Sequence, residues 1–225
     1  TSLTEPGTPT VTQLGAGDMS FDRFCVGAWG NYVAIDEIRV GTAWTNVIGL
    51  ASVASGSVQP VAITNSSMIG SGIAQFVPAG FNSNTAPSLS LLAEPVVTGS
   101  LAQNWSLIPQ FTLVNGNACA ASPVPDGTSL YGGGEVHGPL LRNGQRINIW
   151  ATDTSGWSTD NLHRMYQAHP WVLGVRPDGT AFGVLFDSSY RAELTTGTNL
   201  ITFESLGPLF RIFIIDRTSP QAVLQ

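Results

Sequence analysis

The sequence predicts an all-β protein, and three observations favour this class. Glycine and proline are frequent, with 25 and 14 copies among 225 residues, and serine and threonine are abundant beside them. Helix signals are scarce along the chain. Short runs of β-branched and aromatic residues recur between turn-forming residues. Many short strands joined by such turns are typical of a β-sandwich or a barrel.

The composition restricts the partners that the protein can have. Hydrophobic residues make up 43%, which is enough for a core, whereas charged residues make up only 11%, against about 25% in an average globular protein. The only cations are nine arginines, and the net charge is −6. So few cations cannot build a basic patch, so we expect no nucleic acid and no membrane as a partner. We also expect no signal peptide in this chain, because no basic residue leads an apolar segment at its start.

The front of the chain predicts only part of a domain. A turn at Gly30-Asn31 precedes a predicted strand over 32–40, and residues 18–47 hold three strands at most. Three strands cannot enclose a core without a partner layer, so we expect the chain to be incomplete at this end. Residues 49–60 are small and polar and are predicted to be a linker.

Strand-like runs then follow at short spacing. They cover 71–77, 88–92, 106–114, 146–151, 171–176, 180–187 and 209–215. Two turns predict hairpins, one at Asn143-Gly144 and one at Pro177-Asp178-Gly179, because glycine there supplies the positive φ that tight turns need.

The last residues, 218–225, predict the start of a helix. Thr218 or Ser219 can cap it, Pro220 fits its first turn, and apolar residues follow. The chain stops after about one turn, and we therefore expect it to be incomplete at this end too.

No set of residues in the sequence predicts catalysis. Asp36 and Glu37 are neighbours on a predicted strand, so their side chains point to opposite faces. The other candidate pairs are Asp153 with Asp160, and Glu135 with any of these carboxylates. A glycosidase needs its two carboxyl groups at a defined separation, and a sequence cannot show that distance. The three histidines are His137, His163 and His169. They are too scattered along the chain for a zinc site. A structural role is favoured for them, while a role in general acid–base catalysis stays open. We predict no catalytic residue, no metal site and no cofactor.

The remaining candidates are sulfur, glycine and aromatic residues. Cys25 and Cys119 are expected to be buried free thiols, since nothing in their spacing supports a disulfide or a metal site. The run Gly132-Gly133-Gly134 lacks the lysine of a phosphate loop, so it predicts a backbone that bends or approaches another strand closely.

Four aromatic side chains fall within a short stretch of the sequence, namely Trp150, Trp157, Tyr166 and Trp171. Trp150 and Trp171 are predicted to lie in the core, whereas Trp157 falls in a polar segment and is a candidate for contact with a sugar.

Several motifs in the second half of the chain occur in a recognisable order and spacing. They are 129–135 (SLYGGGE), 138–140 (GPL), 142–144 (RNG), 149–153 (IWATD), 165–171 (MYQAHPW), 179–188 (GTAFGVLFDS), 213–216 (FIID) and 219–223 (SPQAV). Together they resemble the N-terminal region of family-31 glycoside hydrolases over about 129–225, with a weaker likeness back to about residue 70. The resemblance implies a galactose-mutarotase-like β-sandwich that precedes a (β/α)₈ barrel.

The same resemblance implies where the chemistry of such an enzyme would lie. These enzymes are mostly retaining α-glucosidases and α-xylosidases whose catalytic aspartates belong to the barrel, so none matches a position here. In this family a loop of the sandwich reaches the substrate. The positions of this sequence that match that loop are Asp153 and, beside it, Thr154, although Ala151 departs from the family pattern. Asp153 could accept hydrogen bonds from sugar hydroxyls or cap its own turn, and both alternatives stay open. The predicted substrate-binding residues are therefore Asp153, Thr154 and Trp157.

Residues 35–42 with Trp44 separately resemble the closing strands of a concanavalin-like, laminin-G-type jelly roll. The predicted organisation is a jelly-roll tail over 1–48, a linker over 49–60, the sandwich over 61–217 and the connection to a barrel over 218–225. Because such modules are appended to secreted enzymes, we expect a secreted or periplasmic protein.

The preferred hypothesis is a non-catalytic N-terminal part of a family-31-type α-glycosidase that acts on α-linked glucosides or xylosides. Its partners would be its own barrel and, through the barrel, an α-linked oligosaccharide. The alternatives are a free-standing carbohydrate-binding sandwich, favoured by the low charge and Trp157, and a mutarotase-like epimerase that uses a histidine and a glutamate.

Overall fold

A computed structural model describes residues 57–86, 88, 93–152 and 165–225 of the chain. The predicted jelly-roll tail, Cys25 and His163 lie outside these ranges, as do Asp153, Thr154 and Trp157. Most of the strand predicted over 88–92 also lies outside them.

The described part is built from strands and one short helix. The strands are β1 Val58–Val61, β2 Ile63–Gly70, β3 Ile73–Pro78, β4 Gly99–Ser100, β5 Gln110–Val114, β6 Asn117–Pro123, β7 Ser129–Gly134, β8 Gln145–Ile149, β9 Ala168–Val175, β10 Ala181–Asp187, β11 Ala192–Thr196, β12 Leu200–Ser205 and β13 Arg211–Arg217. The helix, α1, covers Pro220–Val223, and the Ser219 side chain accepts a hydrogen bond from Ala222 N at 3.2 Å. Among the described residues, no helix is long and apolar enough to cross a membrane.

The strands form two antiparallel sheets. Sheet A has six strands in the order β1-β5-β6-β12-β11-β8, and sheet B has seven in the order β4-β2-β3-β13-β10-β9-β7. The predicted all-β, galactose-mutarotase-like sandwich is therefore confirmed for this part of the chain. The last three residues of the predicted linker, 58–60, belong to β1.

The core lies between the two sheets, where alternate side chains of each strand point inward. Phe186 and Phe203 stack across it with ring centroids 4.8 Å apart, and Phe210 meets Phe203 edge to face at 5.2 Å. All three rings are at most 1% exposed. These aromatic contacts join β10 of sheet B to β12 of sheet A.

The outer faces of the two sheets differ in polarity. On sheet A the outward positions of β8, β11 and β12 carry Arg146, Glu193 and Glu204. On sheet B, strands β9, β10 and β13 carry several apolar side chains on the outer face, among them the half-buried Leu173 and Leu185. Helix α1 packs against these three strands and buries Val223.

A buried ion pair lies on the outer face of sheet B. Arg211 Nε donates to Asp187 Oδ2 at 2.9 Å, and Arg211 Nη1 donates to Glu94 at 2.5 Å. The guanidinium also lies within 5.4 Å of the ring centroids of Phe81 and Phe213. Arg211 is 2% exposed and Asp187 1%, so both charges need hydrogen-bonded partners, and Asp187 Oδ1 also accepts from Ser88 Oγ at 2.9 Å.

One of the two hairpin turns predicted from the sequence is wrong. Asn143-Gly144 is not a hairpin turn, because β8 pairs with β11, while the Asn143 amide bonds the backbone of Leu130 and Thr128. The turn at 177–179 is a hairpin between β9 and β10, as predicted, with Gly179 at φ 85°.

The two tryptophans predicted for the core do not lie between the sheets. Trp150 follows the last residue of β8 and is 47% exposed. Trp171 is half-buried on the outer face of sheet B, where its ring covers Gly183, while its neighbour Val172 points inward. Side chains alternate strictly along β9, so Trp171 and Val172 point to opposite faces, whereas Trp150 lies one residue beyond the end of β8.

Cys119 is a free, half-buried thiol on the outer face of sheet A. Burial and, to a smaller extent, the carboxylate of Glu204, its cross-strand neighbour, raise its pKa from 9.0 to about 11. A thiol with this pKa is almost entirely protonated at neutral pH.

We expect Phe203→Ala to lower the free energy of unfolding by about 3–5 kcal/mol, because it removes the ring that both Phe186 and Phe210 contact. Urea denaturation of the chain measures this. Leu206→Ala is the control, since Leu206 is 62% exposed and its loss should change stability by less than about 0.5 kcal/mol. Equal effects of the two substitutions would contradict the position of the core.

The alkylation rate of Cys119 should still be rising at pH 10, because the reactive thiolate forms only around the raised pKa. At pH 8 we expect a rate about 100-fold below that of a thiol with pKa 9.0. Iodoacetamide labelling of a Cys25→Ser variant measures it. Glu204→Gln should shift the profile to lower pH, and a plateau near pH 9 would rule out the assigned environment.

Candidate functional site

The predicted site residues Asp153, Thr154 and Trp157 belong to the segment 153–164, which lies outside the described residues, whereas the flanking residues Thr152 and Met165 are described. Thr152 N donates to Met165 O at 3.0 Å, so the backbone leaves and returns at one point of the sandwich. Thr152 follows the end of β8, and Met165 precedes the start of β9. The predicted substrate-binding segment therefore starts and ends next to these two strand ends.

A pocket of about 300 Å³ lies beside this closing point, and it is lined by Ile149, Trp150, Ala151, Ala168, Pro170, Ser188, Ser189 and Tyr190. Trp150 and Tyr190 are the aromatic groups of this lining, and they are 47% and 42% exposed. An exposed aromatic face and nearby hydroxyls suit a ligand that has both apolar and hydroxyl surfaces.

The Tyr190 ring is held in place from several sides. Tyr190 N donates to Ser188 Oγ at 3.3 Å, and the phenol donates to Thr85 O at 3.3 Å. The ring lies directly over Gly207, where a side chain would collide with it. The Ser188 hydroxyl is in turn 3.1 Å from that of Ser205. Tyr190 was not singled out in the sequence, because a Ser-Ser-Tyr segment after a strand carries no motif.

Glycines hold β7 against β9 close to this pocket. Gly132, Gly133 and Gly134 all have positive φ, between 83° and 124°. A Cβ at Gly134 would lie 2.5 Å from Gln167 O, and one at Gly133 would lie 2.8 Å from Ile147 Cδ1. The prediction of a bent backbone that approaches another strand is confirmed.

Arg142 fixes the loop that follows β7. It is 6% exposed, and its guanidinium donates to the carbonyls of Gly132, Val136 and Pro139 at 3.2, 3.2 and 2.5 Å. Burial lowers the pKa of this guanidinium from its usual range. No motif in the sequence indicates this role, since the three acceptors are backbone atoms.

The described lining of the pocket supplies no acid or base for catalysis. Its polar side chains are hydroxyls and an indole N–H, with no carboxylate and no imidazole among them. His137, His169 and Glu135 are exposed. Within the described ranges, no three His, Cys, Asp or Glu residues are placed to hold a metal ion. The described lining offers an aromatic face and hydroxyl groups, which suit binding through stacking and hydrogen bonds.

A family model described as the glycosyl hydrolase 31 N-terminal galactose mutarotase-like domain matches residues 121–194. These residues run from β6 to β11 and include both ends of the 153–164 segment. The resemblance to the N-terminal region of family-31 glycoside hydrolases is confirmed.

Known proteins with sequence similarity to this chain match about half of it. Alpha-glucosidase 2 of Bacillus thermoamyloliquefaciens is 28% identical over 112 residues, which are 49% of this chain and 14% of that protein. The chain thus spans a small part of the length of this relative. The crystal structure of a family 31 alpha-glucosidase from Bacteroides thetaiotaomicron is 56% identical, with a TM-score of 0.45, over 48% of this chain and 18% of that one.

A GH31 dextranase of Flavobacterium johnsoniae, solved with isomaltotriose, has the same fold. It aligns with a TM-score of 0.51 at 14% identity and covers 75% of this chain and 26% of the dextranase. At this identity the likeness concerns the fold alone.

We expect Gly134→Ala to destabilise the sandwich by more than Gly116→Ala. Both glycines have φ near 90°, but a Cβ at Gly116 meets nothing within 4 Å, whereas one at Gly134 meets three backbone atoms of β9 and the residue before it. Gly116→Ala should cost about 1–2 kcal/mol from backbone strain alone. Denaturant unfolding measures the difference, and equal losses would mean that the close approach carries no weight.

Proposed function

We propose that this chain is the non-catalytic N-terminal part of a family-31-type α-glycosidase that acts on α-linked glucosides or xylosides. The observation that carries the proposal is the family match over 121–194. The name of the Bacillus relative, an alpha-glucosidase, supports the substrate class. In this proposal the catalytic acids belong to a barrel that follows Gln225 in the full-length protein.

The first role of the sandwich is to support that barrel. Sheet B presents apolar, half-buried side chains on its outer face, among them Trp171, Leu173 and Leu185. A sheet that is apolar on both faces needs a covering layer on each side, as in α/β folds. Helix α1 supplies a small piece of that layer, and the chain continues from α1 toward the barrel.

The second role is to shape the sugar subsite. The bond between Thr152 and Met165 anchors the segment that carries Asp153 and Thr154 to the strand ends of the sandwich. A carboxylate at position 153 would accept hydrogen bonds from the hydroxyls of the leaving-group sugar. Trp157 would add an aromatic surface for the same sugar.

A specific observation also favours a second function, that of a free-standing carbohydrate-binding module. Trp150 and Tyr190 are exposed aromatic groups at one pocket, and aromatic groups with hydroxyls are suited to sugars. This function needs no barrel.

We further propose that the protein is secreted or periplasmic, and this proposal rests on the jelly-roll module expected over 1–48.

The coding sequence beyond Gln225 and the activity of the full-length protein test the preferred function. We expect a barrel of about 250 residues or more and hydrolysis of an aryl α-glucoside by the full-length protein but not by the 225-residue chain. Turnover by the chain alone, or the absence of a barrel, would refute the proposal. Absence of a barrel with retained oligosaccharide binding would favour the free-standing module.

We expect Asp153→Asn in the full-length protein to lower kcat/KM for an α-linked disaccharide about 10- to 100-fold, because a charged acceptor for sugar hydroxyls is lost. An aryl α-glucoside, whose leaving group has no such hydroxyls, should lose much less. Asp160→Asn changes the same charge in the same segment and is the control. Equal losses on the two substrates would show that Asp153 caps its own turn instead.

A further inference from the structure

A second and larger pocket, of about 610 Å³, lies at the other end of the β9–β10 hairpin. It is bordered by the β2–β3 turn, by the hairpin residues Arg176 and Thr180, and by the end of β13. The candidate site lies at the start of β9 and the end of β10. Because β9 has eight residues, the two pockets are roughly 20 Å apart along the strand.

The apolar surface of this pocket is a fixed tryptophan. Trp105 is half-buried and packs against the core, and its Nε1 donates to Leu107 O at 3.0 Å. Its backbone N donates to Ala102 O at 3.0 Å. The ring therefore keeps one orientation without a ligand, and a rigid aromatic surface is what the C–H face of a pyranose packs against.

The polar surface of the pocket is held in place in the same way. Arg176 Nη1 donates to Asp216 Oδ1 at 2.9 Å and to Thr180 Oγ1 at 3.1 Å, and its guanidinium lies 5.0 Å from the centroid of the Phe182 ring. Within the described residues, Asp216 Oδ2 has no hydrogen-bond partner, and it is an acceptor at the pocket. Arg217 bonds Ser71 O through Nη1 alone, which leaves its other N–H groups as donors.

These groups favour a neutral, hydroxyl-rich ligand over an anion. A sugar hydroxyl can donate to Asp216 and accept from Arg217 at the same time, whereas an anion could use only the donors of Arg217, because Arg176 is already paired with Asp216 and the Asp216 carboxylate would repel it. The amide of Asn104 and the hydroxyl of Thr218 are exposed at the same pocket and add both donors and acceptors.

We propose that this pocket binds a glucosyl unit of an α-linked oligosaccharide, at a position separate from the segment that carries Asp153. That the ligand is a neutral sugar rests on Trp105, Asp216 and Arg217. That the sugar is glucosyl rests on the proposed function. Binding here would hold a long oligosaccharide on the sandwich at a second point.

Titration of the 225-residue chain with maltotriose and isomaltotriose, followed by the ¹H–¹⁵N signals of the indoles, tests the proposal. The Trp105 signal, assigned with Trp105→Phe, should move in a saturable manner. Asn104→Ala with Thr218→Ala should raise the dissociation constant about tenfold or more, because two hydrogen bonds are lost. Both residues are exposed, so this double variant is expected to fold even where a Trp105 variant does not.

Two controls separate this pocket from the candidate site. If Trp150→Ala abolishes the shifts while Asn104→Ala with Thr218→Ala leaves them intact, the sugar binds at the candidate site and the proposal is wrong. Stronger binding of glucuronate than of glucose would overturn the assignment of a neutral ligand, and no shift with any sugar would overturn the site itself. Failure here concerns only this pocket, because the proposed function is judged by hydrolysis in the full-length protein.

Discussion

The close approach of β7 to β9 is the constraint on which the candidate site depends. Glycine alone fits at 132 and 134, because a side chain there would enter the backbone of the neighbouring strand. Arg142 then ties the carbonyl of Gly132 in β7 and two carbonyls of the following loop to one buried guanidinium. Since β9 begins where the 153–164 segment returns to the sandwich, a shift of β7 would move the base of that segment as well.

The two sheets have different surroundings, and the sequence of their strands encodes this difference. Strands β10 and β13 of sheet B are almost continuously apolar or buried, which is typical of strands covered on both faces. Strands β11 and β12 of sheet A alternate between core residues such as Leu194 or Phe203 and polar outward residues. The buried pair of Arg211 and Asp187 belongs to the covered side, because Glu94 and Phe81 come from the connection that crosses it.

The sequence was most informative where a strand is apolar without interruption. The predicted strands over 180–187 and 209–215 match β10 and β13 within two residues. By contrast, β6, β11 and β12 were missed, because alanine, threonine and serine fill many of their positions and give little hydrophobic contrast. Their inward positions are recognisable only once the opposite sheet is known, as with Ala118 and Ala120 in the core.

The dipeptide Asn-Gly illustrates the same limit for turns. It occurs at 115–116 and at 143–144, and only the second occurrence was predicted to be a hairpin turn. At the first position both residues have positive φ, 53° and 89°, and they join β5 to β6. At the second, the Asn143 side chain bonds β7, so a tertiary contact decides the geometry that local preference leaves open.

For the candidate site, the segment 153–164 and its residue types could be predicted from the sequence, but the pocket lined by Trp150 and Tyr190 could not. Trp150 was expected in the core because large aromatic residues usually are buried, yet it lies one residue beyond a strand end, where alternation no longer applies. Tyr190 reaches the same pocket from the end of β10, through backbone and hydroxyl bonds that no spacing rule predicts. Strand ends from different parts of the chain thus meet at one pocket, and only the topology of the sheet brings them together.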